Sequence, residues 1–120
     1  MSETLIEISI DRLRLRTIIG FQEWERKKPQ DVVISIDFRF DASAAIESDN
    51  VDDAVDYKVM TKKITTAVEA SSYNLIESMA AMVHQIVRET PKVRAARVRV
   101  HKPHALRFCD DVSVQISDYD

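Results

Sequence analysis

Residues 98–117, VRVHKPHALRFCDDVSVQIS, predict a strand, a lysine-bearing turn and a second strand. Apolar and polar residues alternate on both sides of the turn, as they do in strands with one buried face. Continuing the alternation of Val98 and Val100 by one step places Lys102 on their side of the strand. Lysine usually keeps its ammonium group in water, and its long stem can snorkel outward from an apolar row. The position of Lys102 alone therefore leaves a solubilising role and a chemical role open.

Two further strands are predicted near the N-terminus. Apolar residues alternate over residues 6–10 and then change phase, which predicts a bulge near Asp11 and Arg12. Gly20, the single glycine, ends this strand. The longest alternating run lies in residues 32–40 and should pair with the first strand as a hairpin. The connection between the two is longer than a tight turn, and loops of that size often hold functional residues.

Two helices are predicted in the middle of the chain. Helical spacing begins near Tyr57, and a second helix runs from Leu75 to about Glu89. Asn74 followed by Glu77 fits a capping box, in which the carboxylate reaches back to the N–H of the cap residue. The acidic segment before the first helix lacks the ligand spacing and the glycine of a calcium loop, so we interpret it as a solvated connection.

The order strand, strand, helix, helix, strand, strand predicts an α+β fold of ββααββ topology. We expect a four-stranded antiparallel sheet with both helices on one face and a polar open face. The length of 120 residues fits a single domain, residues 1–120. Nothing in the sequence covers the two edges of such a sheet, and exposed edges recruit other strands. We therefore expect edge-to-edge association of several copies into a closed ring.

Composition narrows the classes of partner. A formal charge of -3 gives no general attraction to nucleic acid or to a membrane surface, so an anionic ligand would have to meet a local group of basic residues. No apolar run approaches the length of a membrane span, and the N-terminal residues do not resemble a signal peptide. Cys109 is the single cysteine, which excludes an internal disulfide. These features predict a cytoplasmic protein that binds neither nucleic acid nor membrane.

Several kinds of active site are excluded by missing motifs. The three histidines lack the spacing of a metal site, so no metal is expected. With one glycine the chain cannot contain a glycine-rich phosphate loop or a G-x-S-x-G nucleophile elbow. Four polar residues beside apolar segments remain, and each has a plain structural explanation when taken alone. They are Glu25, Tyr57, Glu77 and Lys102.

Taken together, the segments around these residues resemble the dihydroneopterin aldolase family. The matching segments are residues 19–25 (IGFQEWE), 55–57 (VDY), 75–77 (LIE) and 100–103 (VHKP), in the family's order and at similar spacing. The resemblance covers essentially the whole chain.

Two more segments distinguish branches within the family. Residues 13–17 (LRLRT) and 104–108 (HALRF) look more like the branch that epimerises dihydroneopterin triphosphate at its 2′ carbon. The aldolase branch, which releases glycolaldehyde, typically has glycine where this chain has His104. We therefore expect an epimerase. The alternative is an aldolase, and a third hypothesis is a non-catalytic pterin-binding ring.

The resemblance implies the tunnelling fold (T-fold), in which four protomers form a barrel, two rings usually stack into an octamer, and active sites lie between subunits. It also implies a pterin substrate and chemistry without a cofactor. Glu77 would anchor the pterin by accepting hydrogen bonds from the ring's 2-amino group and adjacent N–H, assisted by the backbone of Ile76.

The resemblance also assigns roles in catalysis. Lys102 would be the general acid–base, and Glu25 would bind side-chain hydroxyls and support proton transfer. Tyr57, from a neighbouring subunit, would handle protons on the cleaved intermediate. Candidates to hold the triphosphate are His104, Arg107 and Arg16.

Overall fold

The computed structural model describes residues 2–120 and has the predicted architecture. The sheet is antiparallel throughout, its four strands lie side by side in chain order, and the two long helices pack against one face of it. The prediction of a four-stranded sheet covered by two helices is therefore confirmed. The elements are β1 (Leu5–Thr17), β2 (Gln30–Asp41), α1 (Ser43–Ser48), α2 (Tyr57–Glu69), α3 (Ile76–Glu89), β3 (Val93–Pro103) and β4 (Asp111–Ser117), with short 3-10 helices at Glu23–Arg26 and Val51–Asp53.

The core lies between the sheet and the helices. Alternation along β2 buries one row of side chains completely, and the apolar stripes of both helices close over it. Each such side chain stabilises the fold by about 1.5 to 3 kcal/mol when it leaves water. A one-residue slip in strand pairing would turn the apolar row to solvent, so this burial fixes the register of the strands. The fully buried members include Ile34, Ile36 and Phe38 of the sheet and Met60, Ile64, Met79 and Val83 of the helices.

The bulge predicted in β1 is confirmed. The pairing of β1 with β2 shifts register between Ile10 and Leu13, and Arg12 takes a left-handed backbone conformation with φ of 59°. The bulge leaves the backbone N–H of Arg12 without a partner on β2's backbone. This N–H instead donates to the hydroxyl of Ser35 at 3.2 Å.

Two details of the helical region differ from the sequence-based expectations. Helix α3 begins at Ile76 with Leu75 as its N-cap, and Glu77 makes no capping hydrogen bond, so the predicted capping box at Asn74 is wrong. The backbone just before the helix is held by tertiary hydrogen bonds to the carbonyls of Ser72 and Tyr73, which leaves Leu75 extended. The acidic connection is exposed as expected but contains the short helix α1 and a 3-10 turn.

The open face of the sheet is polar, as expected. Arg97 donates two hydrogen bonds to Asp37 at 3.0 and 3.1 Å, and Arg99 donates to Ser113 and Gln115 on β4. Within the chain, β1 and β4 are the edge strands of the sheet. Among residues 2–120, no helix is long and apolar enough to span a bilayer.

Candidate active site

An ion pair between Lys102 and Glu25 is the centre of the candidate site. Lys102 lies at the end of β3 on the same side as Val98 and Val100, and its side chain is 15% exposed. Its ammonium group donates to Oε2 of Glu25, a residue that is only 4% exposed. The long stem of Lys102 is thus directed inward to a carboxylate rather than outward to water.

Glu25 is held in place from three directions. Its Oε1 accepts the backbone N–H of Gln22 at 3.2 Å, and its Oε2 accepts Nε2 of Gln30 at 3.0 Å in addition to Lys102. Burial acts to raise the pKa of Glu25, but the hydrogen bonds from Lys102, Gln30 and Gln22 outweigh burial and lower the pKa overall. The carboxylate is therefore ionised at neutral pH.

Gly20 makes room for that carboxylate. Its φ of 120° is a conformation that L side chains rarely adopt, and the space where a Cβ would lie is filled by the carboxyl group of Glu25. The glycine thus does more than end a strand, which was its only role in the sequence analysis. The sequence contains one signal for this close packing: the single glycine of the chain lies five residues before Glu25.

Arg26 connects the Glu25 segment to the start of α3. Its guanidinium donates to the carbonyls of Gly20 at 3.0 Å, Tyr73 at 3.2 Å and Ser72 at 2.7 Å. The N–H of Gly20 also donates to the Tyr73 carbonyl at 3.1 Å. Arg26 and Gln30 were not predicted from the sequence as site residues, because their partners lie outside any local motif.

Glu77 lies at the same end of the sheet as the Lys102–Glu25 pair. It occupies the first turn of α3, where the helix dipole favours a carboxylate, and its side chain is exposed. Ile76 precedes it and is buried in the core, so it fixes the start of the helix. The structure thus places an accessible carboxylate at the same end of the sheet as the buried ion pair.

Tyr57 lies at the other end of the molecule. It is the first residue of α2 and is 51% exposed. The start of this helix lines a groove with residues 90–92, immediately before β3, whereas Lys102 lies near the end of that strand. Nine strand residues span about 30 Å, so one chain does not bring Tyr57 to Lys102.

The three phosphate-binding candidates differ in their surroundings. Arg16 donates to Asp31 at 2.7 Å, so its charge is already matched by a carboxylate. Arg107 lies on the exposed loop after Lys102, forms no salt bridge within residues 2–120, and has its guanidinium 5.5 Å from the Phe108 ring. His104 begins this loop with φ of 61°, a conformation more favourable for glycine than for other residues.

The histidines do not come together. His101 lies on the open face and pairs with Asp111 at 3.0 Å, whereas Nε2 of His84 contacts the carbonyl of Ala96 at 3.3 Å. In the described part of the chain, no group of three histidine, cysteine, aspartate or glutamate side chains has the arrangement of a metal site.

Comparison with known proteins identifies relatives that align with nearly the whole chain. The chain is 38% identical over 115 residues to a dihydroneopterin triphosphate 2′-epimerase of Pseudomonas aeruginosa, covering 96% of this chain and 94% of that protein. It is 28% identical over 109 residues to a dihydroneopterin aldolase of Escherichia coli, covering 91% and 89% of the two chains. The crystal structure of Escherichia coli dihydroneopterin aldolase in complex with neopterin superposes with a TM-score of 0.89 at 27% identity, covering 93% of this chain and 97% of that one.

The family model described as dihydroneopterin aldolase (FolB) matches residues 8–117. This range contains all four segments that carry the resemblance, as well as the Lys102–Glu25 pair and Glu77. The chain therefore belongs to the dihydroneopterin aldolase family.

Proposed function

We propose that this protein epimerises 7,8-dihydroneopterin triphosphate at the 2′ carbon, giving dihydromonapterin triphosphate without a cofactor. The observation that carries the proposal is the buried ion pair of Lys102 and Glu25 at the same end of the sheet as Glu77. The 38% identity to the Pseudomonas aeruginosa epimerase over nearly the whole chain supports the choice of reaction.

In the proposed mechanism, Lys102 first loses a proton to solvent, and its neutral amine then accepts the proton of the 2′ hydroxyl, directly or through a water molecule, and becomes the ammonium again. Loss of that proton forms a carbonyl at C2′ and breaks the C1′–C2′ bond, and the bonding electrons move into the conjugated C=N of the pterin ring. The buried Glu25 carboxylate keeps the Lys102 ammonium in place and balances its charge. Positioned acid–base groups contribute about 10²- to 10⁴-fold in rate.

The stereochemical step follows cleavage. The phosphorylated aldehyde remains bound, presents its opposite face and re-adds to C1′, and the proton returns to the new 2′ oxygen. Retention of the aldehyde is what separates epimerase from aldolase, which releases it. Arg107, His104 and Arg16 are the proposed contacts of the triphosphate, and Arg107 is the strongest of them because no carboxylate neutralises it within the described chain.

The proposal includes recognition of the pterin by Glu77. A carboxylate accepts two roughly parallel hydrogen bonds from an amidine-like edge, and each bond to a charged group contributes about 1.5 to 3 kcal/mol. The exposed position of Glu77 in the first turn of α3 supports this role, since its oxygens accept no hydrogen bond within residues 2–120. The backbone of the adjacent Ile76 is the proposed second contact.

The site is proposed to be completed by a second copy of the chain. Tyr57 lies about a strand length from Lys102 in its own protomer, so its proposed role with the cleaved intermediate requires a neighbouring subunit. The unpaired edges of β1 and β4 support association into a tetrameric ring, and two rings into an octamer. The exposed thiol of Cys109 supports a reducing compartment, the cytoplasm.

One experiment tests the reaction. Purified protein is incubated with dihydroneopterin and separately with its triphosphate, and the 2′ epimers and glycolaldehyde products are resolved by chromatography. We expect epimerisation of the triphosphate to predominate. Release of the aldehyde from both substrates without formation of an epimer would show that the protein is an aldolase. Binding of the pterins without turnover would show that it is a non-catalytic ring.

Running the same reaction in D₂O tests the mechanism. Cleavage and re-addition leave the hydrogen on C2′ untouched, so we expect no deuterium at that carbon in the epimer. Deuterium at C2′ would instead show direct proton abstraction from carbon and would contradict the retro-aldol route.

A further inference from the structure

The side chain of Gln30 bridges the end of β1 and the buried ion pair. Its Nε2 donates one hydrogen bond to the carbonyl of Ile19 at 2.8 Å and the other to Oε2 of Glu25 at 3.0 Å. A carbonyl and an ionised carboxylate are both pure acceptors, so both amide hydrogens are committed and the amide orientation is fixed. We infer that Gln30 is a positioning residue, which holds the Glu25 carboxylate so that Lys102 can release and regain its proton. This inference rests on the proposed function.

Gln30 and Lys102 share one oxygen of Glu25 as their acceptor. Both donate to Oε2 of Glu25, while Oε1 accepts the N–H of Gln22. When Lys102 gives up its proton, Glu25 remains charged at 4% exposure without its cationic partner. A buried charge that loses its partner is strongly destabilised unless other donors remain. The neutral amine of Lys102 can still donate a hydrogen bond but no longer carries a charge, so the hydrogen bond from Gln30 becomes a larger share of what stabilises the carboxylate in that state.

Within residues 2–120, Lys102 is the one charged side chain that is hydrogen-bonded to Glu25. Arg26 is next to Glu25 in sequence, but its guanidinium is directed to the carbonyls of Gly20, Ser72 and Tyr73. From α3, Glu77 is exposed and forms no hydrogen bond or salt bridge with the pair within residues 2–120. Burial has the largest effect on the pKa of Glu25 and raises it. The hydrogen bonds from Lys102 and then from Gln30 lower this pKa, so Gln30 contributes to the net decrease.

The test replaces Gln30 by methionine, which has a similar length and no N–H. For the triphosphate, we expect kcat at neutral pH to fall about 10- to 100-fold, the range for one hydrogen bond to a charged group. The ascending limb of kcat against pH should move to higher pH by about one unit or more, since Glu25 then retains the Lys102 proton more strongly. KM should change little.

The matched control is Gln85→Met, because Gln85 is an exposed glutamine that bonds to Glu89 at 2.8 Å far from the site. It should leave both kcat and the pH profile unchanged. If Gln30→Met does not fold, Gln30→Glu keeps the shape and puts a second carboxylate beside Glu25. That variant should move the ascending limb to higher pH as well.

An unchanged pH profile in an active Gln30 variant would overturn the inference, even if thermal stability were lower, because a purely structural role predicts that result. Wild-type protein that turns over neither pterin would instead refute the proposed function and the inference with it. The two failures are distinguishable, since the first occurs in an active enzyme and the second in the parent protein.

Discussion

Gly20 and Glu25 are packed so closely that a Cβ atom on Gly20 would overlap the carboxyl carbon of Glu25. We therefore expect Gly20→Ala to displace the carboxylate from Lys102. The positive φ adds about 1 to 3 kcal/mol of backbone strain for any other residue. Turnover should fall by about 10²-fold or more, as expected when an acid–base pair is misplaced. Steady-state kinetics and a thermal unfolding midpoint at fixed protein concentration measure the two effects.

A double-mutant cycle separates steric overlap from backbone strain. In a Glu25→Ala background the overlap is relieved, so Gly20→Ala should cost only the strain of its φ angle. The difference between the two backgrounds reports the contact between Gly20 and Glu25. An equal loss of stability in both backgrounds would mean that the glycine is needed for its backbone conformation alone.

Replacement of Lys102 by methionine tests the ion pair directly. Turnover should fall about 10²- to 10⁴-fold, the usual contribution of a positioned acid–base group, while pterin binding through Glu77 is retained. The free energy of unfolding should also decrease, by up to about 3 to 5 kcal/mol, because Glu25 keeps a buried charge without its cation.

Adding Glu25→Gln to Lys102→Met gives the matched control. The neutral amide removes the unpaired charge, so the double variant should recover much of the lost stability and none of the turnover. Pterin binding, followed by fluorescence, should be close to that of the parent. Near-normal turnover in either variant would remove Lys102 from the proton-transfer role.

Charge reversal at Arg107 tests the proposed triphosphate contact. We expect Arg107→Glu to raise KM for the triphosphate by about tenfold or more and to leave KM for unphosphorylated dihydroneopterin nearly unchanged. The reason is that Arg107 lies on the exposed loop after Lys102 without a neutralising carboxylate in the described chain. Lys62→Glu, at an exposed lysine in the middle of α2, changes the net charge equally and serves as the control. Equal changes in KM for both substrates would place Arg107 outside the phosphate site.

Local sequence patterns were sufficient to predict the four strands and the two long helices of this fold. A period of two identified the strands, the phase change near Arg12 identified the bulge, and the alternation through Val98 and Val100 placed Lys102 on the buried side. These features depend on neighbours within a few residues, which is why a single sequence contains them. The resemblance of four segments then supplied the family.

The environment of Glu25 could not be predicted in the same way. Its burial depends on Lys102, 77 residues away, and on an Arg26 side chain whose carbonyl partners at Ser72 and Tyr73 lie more than 40 residues away. The capping box at Asn74 failed for the same reason, since tertiary hydrogen bonds to those carbonyls decided where α3 begins. Long-range contacts of this kind leave no local periodicity.

Tyr119 attaches the C-terminus to the open face of the sheet. Its ring lies 3.9 Å from the guanidinium carbon of Arg39 and 4.7 Å from that of Arg97. The hydroxyl oxygen is buried without a hydrogen-bond partner that meets normal geometry, and it faces the Glu7 carboxylate. Burial, followed by the interaction with Glu7, raises the pKa of Tyr119. The neutral phenol is therefore favoured in the folded state.

This shift predicts a loss of stability in alkali. Because folding raises the pKa of Tyr119, its contribution is fully present below the ordinary value of 10.0 and decreases as pH rises above it. Tyr119→Phe should match the parent's unfolding midpoint at pH 7 and lose less stability between pH 9 and 11. Tyr119→Leu should be less stable than the parent at neutral pH and also less stable than Tyr119→Phe in alkali, since it removes two cation–π contacts of about 0.5 to 2 kcal/mol each. Tyr73→Phe is the control for phenol removal elsewhere, and parallel alkaline curves for the parent and Tyr119→Phe would contradict the shift.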